Sequence, residues 1–341
     1  MKKYKLIGEI LSPLHIGTGS EIEFFDYLIK NGKFYKIIFN DFFLNLEESE
    51  KNKLITLINQ NRLLEIRKFM TSIWDSQRFP FEYSCAVSEE VNKLYISNIN
   101  NIENQLLINP FIRTTTKKDP YLPGSSLKGA IRTALINELA KNKQINTKKA
   151  DKIEGNVLDC LNNWGRLNPT RDPFRAIKIK DAYLSSDDIM IAKVVHIKKD
   201  KFAKLKPLGM QIFAELTYST LSGKRVKFET ELAIDNTLQK TNFIKRKIDI
   251  GLIKNSCNSF YLDKLNYEIK GFYKNTTVEK VYSLISTQKF ADNSFLLRVG
   301  RFSGLESVTL DKYREPKSSL SRNLCEMKYP FGWIKLDYQE V

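Results

Sequence analysis

The sequence contains no paired cysteines and no long apolar run, and each shortage excludes a class of protein. The four cysteines lie far apart without a Cys-x-x-Cys pair, so they predict ordinary buried thiols and neither a zinc framework nor a disulfide scaffold. No apolar run approaches the roughly 18 residues that span a bilayer. The first residues turn polar and acidic too soon for a secretory signal. We therefore expect a soluble, cytoplasmic protein.

Nucleotide hydrolysis and metal chemistry also lack their usual residues. The stretch Gly124-Ser-Ser-Leu-Lys-Gly129 does not have the residue order of a P-loop, so ATP hydrolysis is unsupported. The chain has only two histidines, His15 and His196. No motif predicts a resident cofactor or metal ion.

What the sequence does contain is positive charge. Lysine and arginine number 55 against 39 acidic residues, which gives a net charge of +16. A nucleic-acid backbone is the commonest partner of such an excess, because each neutralised phosphate releases counterions. A basic membrane-surface protein and a basic scaffold that binds only proteins are the alternatives. The 21 Phe and 15 Tyr supply rings for the core and for base stacking.

Residues 121–135 predict a helix that begins after a turn. Pro123-Gly124 ends the preceding segment, and Ser125 and Ser126 offer hydroxyls to the free N–H groups of the first turn. The residues with helical spacing that define one apolar face are Leu127, Ile131, Ala134, Leu135 and Leu139.

Two cations project from the same side of this predicted helix. Lys128 and Arg132 are four residues apart, above a helix start whose free amides favour anions. The backbone amides of Gly124, Ser125 and Ser126, with the two cations, therefore form a candidate site for successive phosphates. The alternative is an ordinary amphipathic helix with solvated charges.

A glycine loop follows the first predicted strand, residues 3–11. Gly17 and Gly19 allow a ligand to approach the backbone closely. His15 beside them could act as a general acid–base group, since its ordinary pKa lies near 6.5. No nearby Lys, Tyr or second His completes a cleavage set, so a structural or RNA-contacting role is favoured.

A second glycine turn lies near the end of the chain. Arg298 and Arg301 flank Gly300, and two guanidinium groups at a turn can bind phosphate in a fork geometry. The alternative is a plain turn with surface arginines.

The pattern of elements predicts an α+β fold, because antiparallel hairpins and helices interleave without regular alternation. Hairpins are expected across Asn31-Gly32, and between 210–218 and 224–234 across Ser222-Gly223. A long helical stretch is expected from Asp41 to about Trp74. The run 189–197 leads into a basic tip at 198–206, and we place domains at 1–184 and 185–341.

Three strings resemble the RAMP superfamily of CRISPR RNA-binding proteins. They are Leu-Pro-Gly-Ser-Ser-Leu-Lys-Gly-Ala-Ile-Arg at 122–132, Ser-Pro-Leu-His-Ile-Gly-Thr-Gly at 12–19, and Leu-Arg-Val-Gly-Arg-Phe-Ser-Gly at 297–304. Phe-Asp-Tyr-Leu-Ile at 25–29 and Phe-Gly-Trp-Ile-Lys-Leu at 331–336 resemble, within that superfamily, the subunit that caps the guide-distal end of type III-A (Csm) effector filaments.

The resemblance implies a fold and a set of partners. The fold would be two ferredoxin-like (RRM-like) units with glycine-rich loops and helical insertions, with a basic strand-pair tip that serves as a thumb over the guide. The partners would be crRNA, the repeated backbone RAMP subunit, the small helical subunit and a host nuclease that trims crRNA. The expected role is non-catalytic, in capping the filament and supporting crRNA maturation.

The main rival to this role is an endoribonuclease. His15 would cut guide RNA without metal, or Asp26 would cut target RNA with a divalent metal, as an Asp does in the filament-forming relatives. A single carboxylate is a poor metal site, since hard cations prefer several oxygen ligands. A structural role for Asp26 is therefore favoured.

Overall fold

The structure, a computed structural model, describes residues 1–98, 107–141, 143–145, 150–202, 204–217, 225–288, 290–307, 310 and 320–341. The strands are β1 (Lys2–Ile10), β2 (Tyr27–Lys30), β3 (Lys33–Lys36), β4 (Tyr83–Val87), β5 (Ile108–Asn109), β6 (Tyr121–Leu122), β7 (Ile177–Ile179), β8 (Ala182–Tyr183), β9 (Ile189–Lys199), β10 (Leu205–Thr217), β11 (Lys227–Ile234), β12 (Ser294–Arg298), β13 (Ser321–Cys325) and β14 (Trp333–Glu340). The helices are α1 (Phe39–Leu44), α2 (Glu48–Asn59), α3 (Leu63–Ile73), α4 (Glu89–Asn98), α5 (Gly124–Ala140), α6 (Ala150–Val157), α7 (Asn236–Gln239), α8 (Ile250–Lys270) and α9 (Glu279–Ser286).

The first sheet has five strands in the order β12-β14-β1-β11-β7, and every neighbouring pair is antiparallel. Burial along β1 alternates from Tyr4 onward, as a strand with one covered face requires. Helices α5 and α8 pack together on this sheet. The Tyr261 hydroxyl of α8 donates to the Ala130 carbonyl of α5 at 3.0 Å. Helix α5 is therefore held rigidly against a sheet built from both ends of the chain.

The second sheet has the strand order β2-β3-β4-β9-β10-β5. Strand β4 pairs with the start of β9, and β13 pairs with β9 further along, at residues 194–198. The long antiparallel pair β9–β10 confirms a strand pair with a basic tip. Asp200 closes that tip, since its Oδ1 accepts the N–H groups of Phe202 and Lys204, each at 2.9 Å. The Phe202 side chain is exposed there.

The predicted long helical stretch after β3 is three helices, α1 to α3, and not one. Glu47 and Glu50 form a capping box that begins α2, and Asp41 lies in the first turn of α1 without capping it. Phe42, Trp74 and Phe79 pack together in a hydrophobic cluster separate from the main core. These helices form an insertion that packs on its own cluster.

One of the two predicted hairpins is confirmed and the other is wrong. Asn31 and Gly32 adopt φ values of +53° and +71°, as a two-residue hairpin turn requires, and they join β2 to β3. In contrast, β10 pairs with β9 and β5, whereas β11 pairs with β1 and β7 in the other sheet. Ser222 and Gly223 lie outside the described residues. The turn signal did not decide the pairing, because each strand buries its apolar face against distant partners.

The α+β class is confirmed, with mixed helices and curled sheets as in ferredoxin-like units. Each sheet takes strands from both sides of residue 184, so a boundary there does not separate the two sheets. All four cysteines are buried free thiols. Among the described residues, no helix combines the length and apolarity needed to cross a membrane.

Candidate nucleic-acid interface

The first loop, residues 17–20, is exposed, and two hydrogen bonds hold the segment from which it begins. Leu14 and Thr217 bond twice, because the Leu14 N–H donates to Thr217 Oγ1 at 2.9 Å and the Thr217 N–H donates to the Leu14 carbonyl at 3.0 Å. Gly17 and Gly19 are exposed, and Gly19 has a φ of +86° with open space where a side chain would stand. The loop therefore presents its backbone to solvent on a stable stem.

The late turn, residues 300–304, bonds directly to the stem of the first loop. The Arg301 N–H donates to the His15 carbonyl at 2.9 Å. Gly300 has a φ of +85°, and a Cβ there would lie 2.5 Å from the same carbonyl oxygen, so a larger residue is excluded by both conformation and space. Two glycine-rich stretches from opposite ends of the sequence thus form one surface, which we call the loop junction (residues 15–20 and 300–304).

Arg301 is the exposed cation of the loop junction. Its Nη1 donates to Asn109 Oδ1 at 2.7 Å, and its guanidinium lies over the Phe302 ring at 5.1 Å. The Asn109 amide is itself held by the Phe213 carbonyl at 3.4 Å. No carboxylate of the described residues pairs with Arg301. Within the part of the chain that the structure describes, the side-chain partners that position Arg301 are therefore neutral.

His15 lies beneath this surface and is fully buried. Its Nδ1–H donates to the Glu215 carbonyl at 2.8 Å, and its ring packs against Phe111 and Phe302. Burial lowers the pKa of the imidazole to about 4, and the nearby Arg301 charge acts in the same direction. The side chain is neutral at pH 7 and has no exposed atom with which to contact RNA. His15 contributes to the loop junction through its carbonyl.

The Arg298 side chain is buried beneath the late turn, which corrects the expectation that it binds phosphate. Its Nη1 donates to Glu268 Oε2 at 3.0 Å, and its Nε donates to the Phe331 carbonyl at 2.9 Å. Glu268 also accepts from Arg322 at 2.9 Å, and Arg322 donates to Glu306 at 2.9 Å. All four charged side chains are buried. The Arg298 guanidinium is therefore occupied inside the protein.

The start of α5 differs from the predicted anion site at its first residue. Pro123 is the N-cap and the helix begins at Gly124, whose N–H donates to Asp181 Oδ1 at 2.7 Å. A Cβ at Gly124 would lie 2.1 Å from the Ile179 carbonyl oxygen, so this glycine allows close packing on β7. The Ser126 N–H donates to the Pro123 carbonyl, and Ser125 is exposed. The Gly124 amide is thus used by the protein.

Of the two predicted cations on α5, one is neutralised. Arg132 donates to Asp172 at 2.8 Å and to Glu154 at 3.0 Å, and its guanidinium lies over Phe174. Lys128 is half-buried, and burial lowers the pKa of its ammonium group while the Asp172 charge opposes that shift. Its ammonium forms no hydrogen bond with the described residues. Lys128 remains a candidate phosphate contact, and Arg132 is a structural residue.

Short strands connect the loop junction to α5. The Ile112 N–H donates to the Ile16 carbonyl at 2.8 Å, and the Tyr121 N–H donates to the Ile112 carbonyl at 3.3 Å. Strand β6 then leads directly into α5 and pairs with β8. Two spacings of about 4.8 Å between neighbouring strands put Ile16 and Tyr121 roughly 10 Å apart across the strands. The first loop and the start of α5 are therefore joined along one hydrogen-bonded edge.

Two residues along this edge were not predicted. Asn109 could not be found from the sequence, because its role is to position Arg301 and only the folded chain brings the two residues together. Lys117 is exposed beside a shallow groove of about 400 Å³ that Thr114, Thr116 and Tyr183 also line. The signal for Lys117 was the basic, threonine-rich run at 113–119.

Asp26 pairs with a lysine. Its Oδ2 lies 3.7 Å from Lys36 Nζ, and its side chain is 44% exposed. Within the described part of the chain, no group of three or more His, Cys, Asp or Glu side chains could hold a metal ion. The geometry around Asp26 is that of a surface ion pair.

Relatives of known name resemble this chain over most of its length. Two curated proteins are named CRISPR system Cms protein Csm5. The one from Methanocaldococcus jannaschii is 28% identical over 89% of this chain and 71% of its own length. The one from Streptococcus thermophilus is 27% identical over 69% of this chain and 65% of its own length, so the chain spans just under two thirds of that relative.

Solved structures share the fold. A chain in the cryo-EM structure of a Csm–crRNA–target RNA ternary complex of a type III-A CRISPR–Cas system superposes with a TM-score of 0.74, at 18% identity, over 99% of this chain and 100% of that chain. The crystal structure of T. onnurineus Csm5 gives a TM-score of 0.64 at 18% identity, over 96% and 99%. The family model described as the RAMP superfamily matches residues 8–304. The chain therefore belongs to the RAMP superfamily.

Proposed function

We propose that this protein is a non-catalytic, crRNA-binding subunit of a type III-A CRISPR effector complex, with the role of Csm5. It binds the guide through its phosphate backbone and caps the filament on the crRNA 3′ side, where it supports crRNA maturation and antiviral defence. Membership of the RAMP superfamily, the two relatives named Csm5 and the fold shared with a chain of a Csm–crRNA complex support this assignment.

Arg301 is the observation that carries the proposal. It is exposed at the loop junction, held by Asn109 and paired with no carboxylate of the described residues. A guanidinium in this state binds a phosphate without first breaking an ion pair. The exposed backbone amides at Gly17 and Gly19 stand on the neighbouring loop. Ser125 and Lys128 continue the same edge toward α5.

Filter binding of single-stranded RNA across a salt series tests this assignment. Arg301→Ala should weaken binding roughly 10-fold or more, since hydrogen bonds to charged groups contribute about 1.5–3 kcal/mol. It should also reduce the salt slope by about one, to a similar extent for all RNA sequences. Arg62→Ala is the matched control, because Arg62 is another exposed arginine but is ion-paired with Glu65 on the helical insertion. A flat salt response, or equal effects of the two substitutions, would contradict phosphate binding at the loop junction.

The absence of catalysis is tested by incubating the protein with labelled guide precursor and target RNA, with and without Mg²⁺. We expect no cleavage, because the His15 side chain is buried and, among the described residues, no group of three or more His, Cys, Asp or Glu side chains could hold a metal ion. Cleavage that disappears in His15→Ala or Asp26→Ala would overturn the non-catalytic role.

The proposed partners follow from the role of a filament cap. They are crRNA, the repeated backbone RAMP subunit on one face, the small helical subunit alongside and a host nuclease that trims the guide, in the cytoplasm. Co-purification with tagged backbone subunit, before and after ribonuclease treatment, separates protein-mediated from RNA-mediated assembly.

A further inference from the structure

The Trp164 turn, residues 162–166, presents an aromatic ring to solvent on a closed scaffold. Asn162 Oδ1 accepts the N–H groups of Trp164 and Arg166 at 2.9 and 3.0 Å, and the Asn162 N–H donates to the Arg166 carbonyl at 2.8 Å. Gly165 completes the turn with a φ of +67°. Trp164 is 84% exposed on this framework. The turn that carries the exposed ring is thus closed by several hydrogen bonds to Asn162.

Residues on either side anchor the turn to the body of the protein. Leu161 forms a bridge with Leu167 and packs against Gly155 of α6, where a Cβ would lie 2.1 Å from the leucine side chain. Asp172, a few residues further on, receives two hydrogen bonds from Arg132 of α5. These contacts link the segment that follows the Trp164 turn to α5, the helix that carries Lys128.

The segment that contains the Trp164 turn carries a net positive charge. Residues 161–175 contain three arginines and a single carboxylate, Asp172, which is ion-paired with Arg132. Arg171 donates to the Leu161 carbonyl at 3.1 Å and Arg175 donates to the Thr170 carbonyl at 2.7 Å, so both are positioned by neutral acceptors. Arg166 is exposed and forms no ion pair with the described residues.

This combination fits an unpaired nucleotide better than a protein. A stable protein interface buries a contiguous patch of about 800 Å² on each partner, with an apolar centre. Along the chain, Trp164 is instead flanked by asparagine, glycine and arginine. A single ring with adjacent arginines is the arrangement that stacks one base and holds its phosphates.

We propose that the Trp164 turn is a second RNA contact, in which Trp164 stacks on one unpaired base and Arg166 and Arg171 bind the flanking phosphates. The inference rests on the proposed RNA-binding function and adds a site outside the glycine loops. Stacking does not depend on base identity, so the contact suits guides of any sequence.

Intrinsic fluorescence reports on this site alone. The chain has three tryptophans, and Trp74 and Trp333 are 2% and 0% exposed. The experiment titrates the full chain with a single-stranded RNA of about 12 nucleotides, within the range that single-strand-binding modules cover. We expect RNA to quench the exposed emission in the wild type and in Arg301→Ala, and to leave the emission of Trp164→Phe unchanged. Trp164→Ala should bind roughly 5-fold to 100-fold more weakly, whereas Trp164→Phe should keep most of the affinity.

The outcomes separate this proposal from the proposed function. If RNA binds and Arg301→Ala weakens it, but emission is constant and Trp164→Ala binds normally, the loop junction stands and the Trp164 contact is overturned. If quenching persists while Arg301→Ala has no effect, the Trp164 contact stands and the loop junction fails. No RNA binding even at low salt overturns both. Loss of acrylamide quenching on assembly with neighbouring subunits, without RNA, would assign the turn to a protein contact instead.

Discussion

Arg298 and Arg301 stand on either side of Gly300 in one short motif, and the fold gives them opposite environments. Arg298 points inward and is paired with Glu268, which also holds Arg322. Arg301 is exposed, its guanidinium lies over Phe302, and its side chain donates to the neutral Asn109. The sequence offers both as phosphate ligands, whereas among the described residues the fold pairs Arg298 with a carboxylate and leaves Arg301 without one.

The difference shows what decides whether a basic residue can bind RNA. A buried guanidinium must be paired, because an isolated charge in the interior loses its hydration without compensation. An exposed guanidinium without a carboxylate keeps its charge available to a phosphate. Arg132 and Lys128 on α5 differ in a similar way, since Arg132 forms ion pairs with Asp172 and Glu154 whereas the Lys128 ammonium forms no hydrogen bond with the described residues.

The largest expected effect is on the free energy of unfolding, from replacing the buried arginine, Arg298. Arg298→Ala leaves the Glu268 carboxylate with one partner fewer in the interior, and should lower the free energy of unfolding by roughly 3–5 kcal/mol. Urea denaturation measures this. Arg301→Ala is the matched control and should change the free energy of unfolding by less than about 1 kcal/mol. Equal effects of the two substitutions would mean that Arg298 is not part of a structural network.

The pH dependence of the free energy of unfolding tests whether the His15 imidazole, which lies beneath the loop junction, is buried. Burial lowers the pKa of His15 to about 4 in the folded protein, so the unfolded chain binds the proton first as the pH falls. His15 should contribute no pH dependence above about pH 6.5, and should cost up to about 3 kcal/mol of stability between pH 6.5 and 4.

Urea denaturation at several pH values, on the wild type and His15→Gln, isolates this contribution from that of the carboxylates. The two proteins should show the same pH dependence above about pH 6.5, and the wild type should lose stability faster below it. Parallel curves throughout would show that His15 is hydrated in the folded protein.

The smallest expected effect is that of Arg301→Lys on RNA affinity. This substitution keeps the positive charge but removes the planar guanidinium group. The salt slope of RNA binding should stay the same, because the number of neutralised phosphates is unchanged. The affinity should fall several-fold, by about 1 kcal/mol, since an ammonium group cannot donate two parallel hydrogen bonds. An affinity equal to that of the wild type would show that Arg301 acts only as a point charge.

Local features were predictable wherever the neighbours in sequence are also the neighbours in space. The Asn31-Gly32 turn, the alternation of β1 and the apolar face of α5 follow from backbone preferences and spacing alone. The pairing of β10 and β11 did not, because a turn signal competes with the apolar surfaces of distant strands.

The candidate site divides in the same way. Both glycine loops were found by sequence, since glycine marks positions where only it fits, and Gly300 beside the His15 carbonyl is the clearest case. The Gly124 amide, Arg298 and Arg132 were assigned to RNA, although carboxylates at Asp181, Glu268 and Asp172 occupy them. Asn109 was missed because only the folded chain brings it to Arg301.

The sequence alone determined that the protein is basic, that it is α+β and that its glycine loops resemble those of the RAMP superfamily. These properties depend on composition and on short-range backbone chemistry. Only the tertiary structure decided which cations remain free, because a charge is neutralised by whichever carboxylate the fold brings within hydrogen-bonding distance. In this protein that carboxylate stands 30 residues from Arg298 and 40 residues from Arg132, beyond the reach of any local pattern.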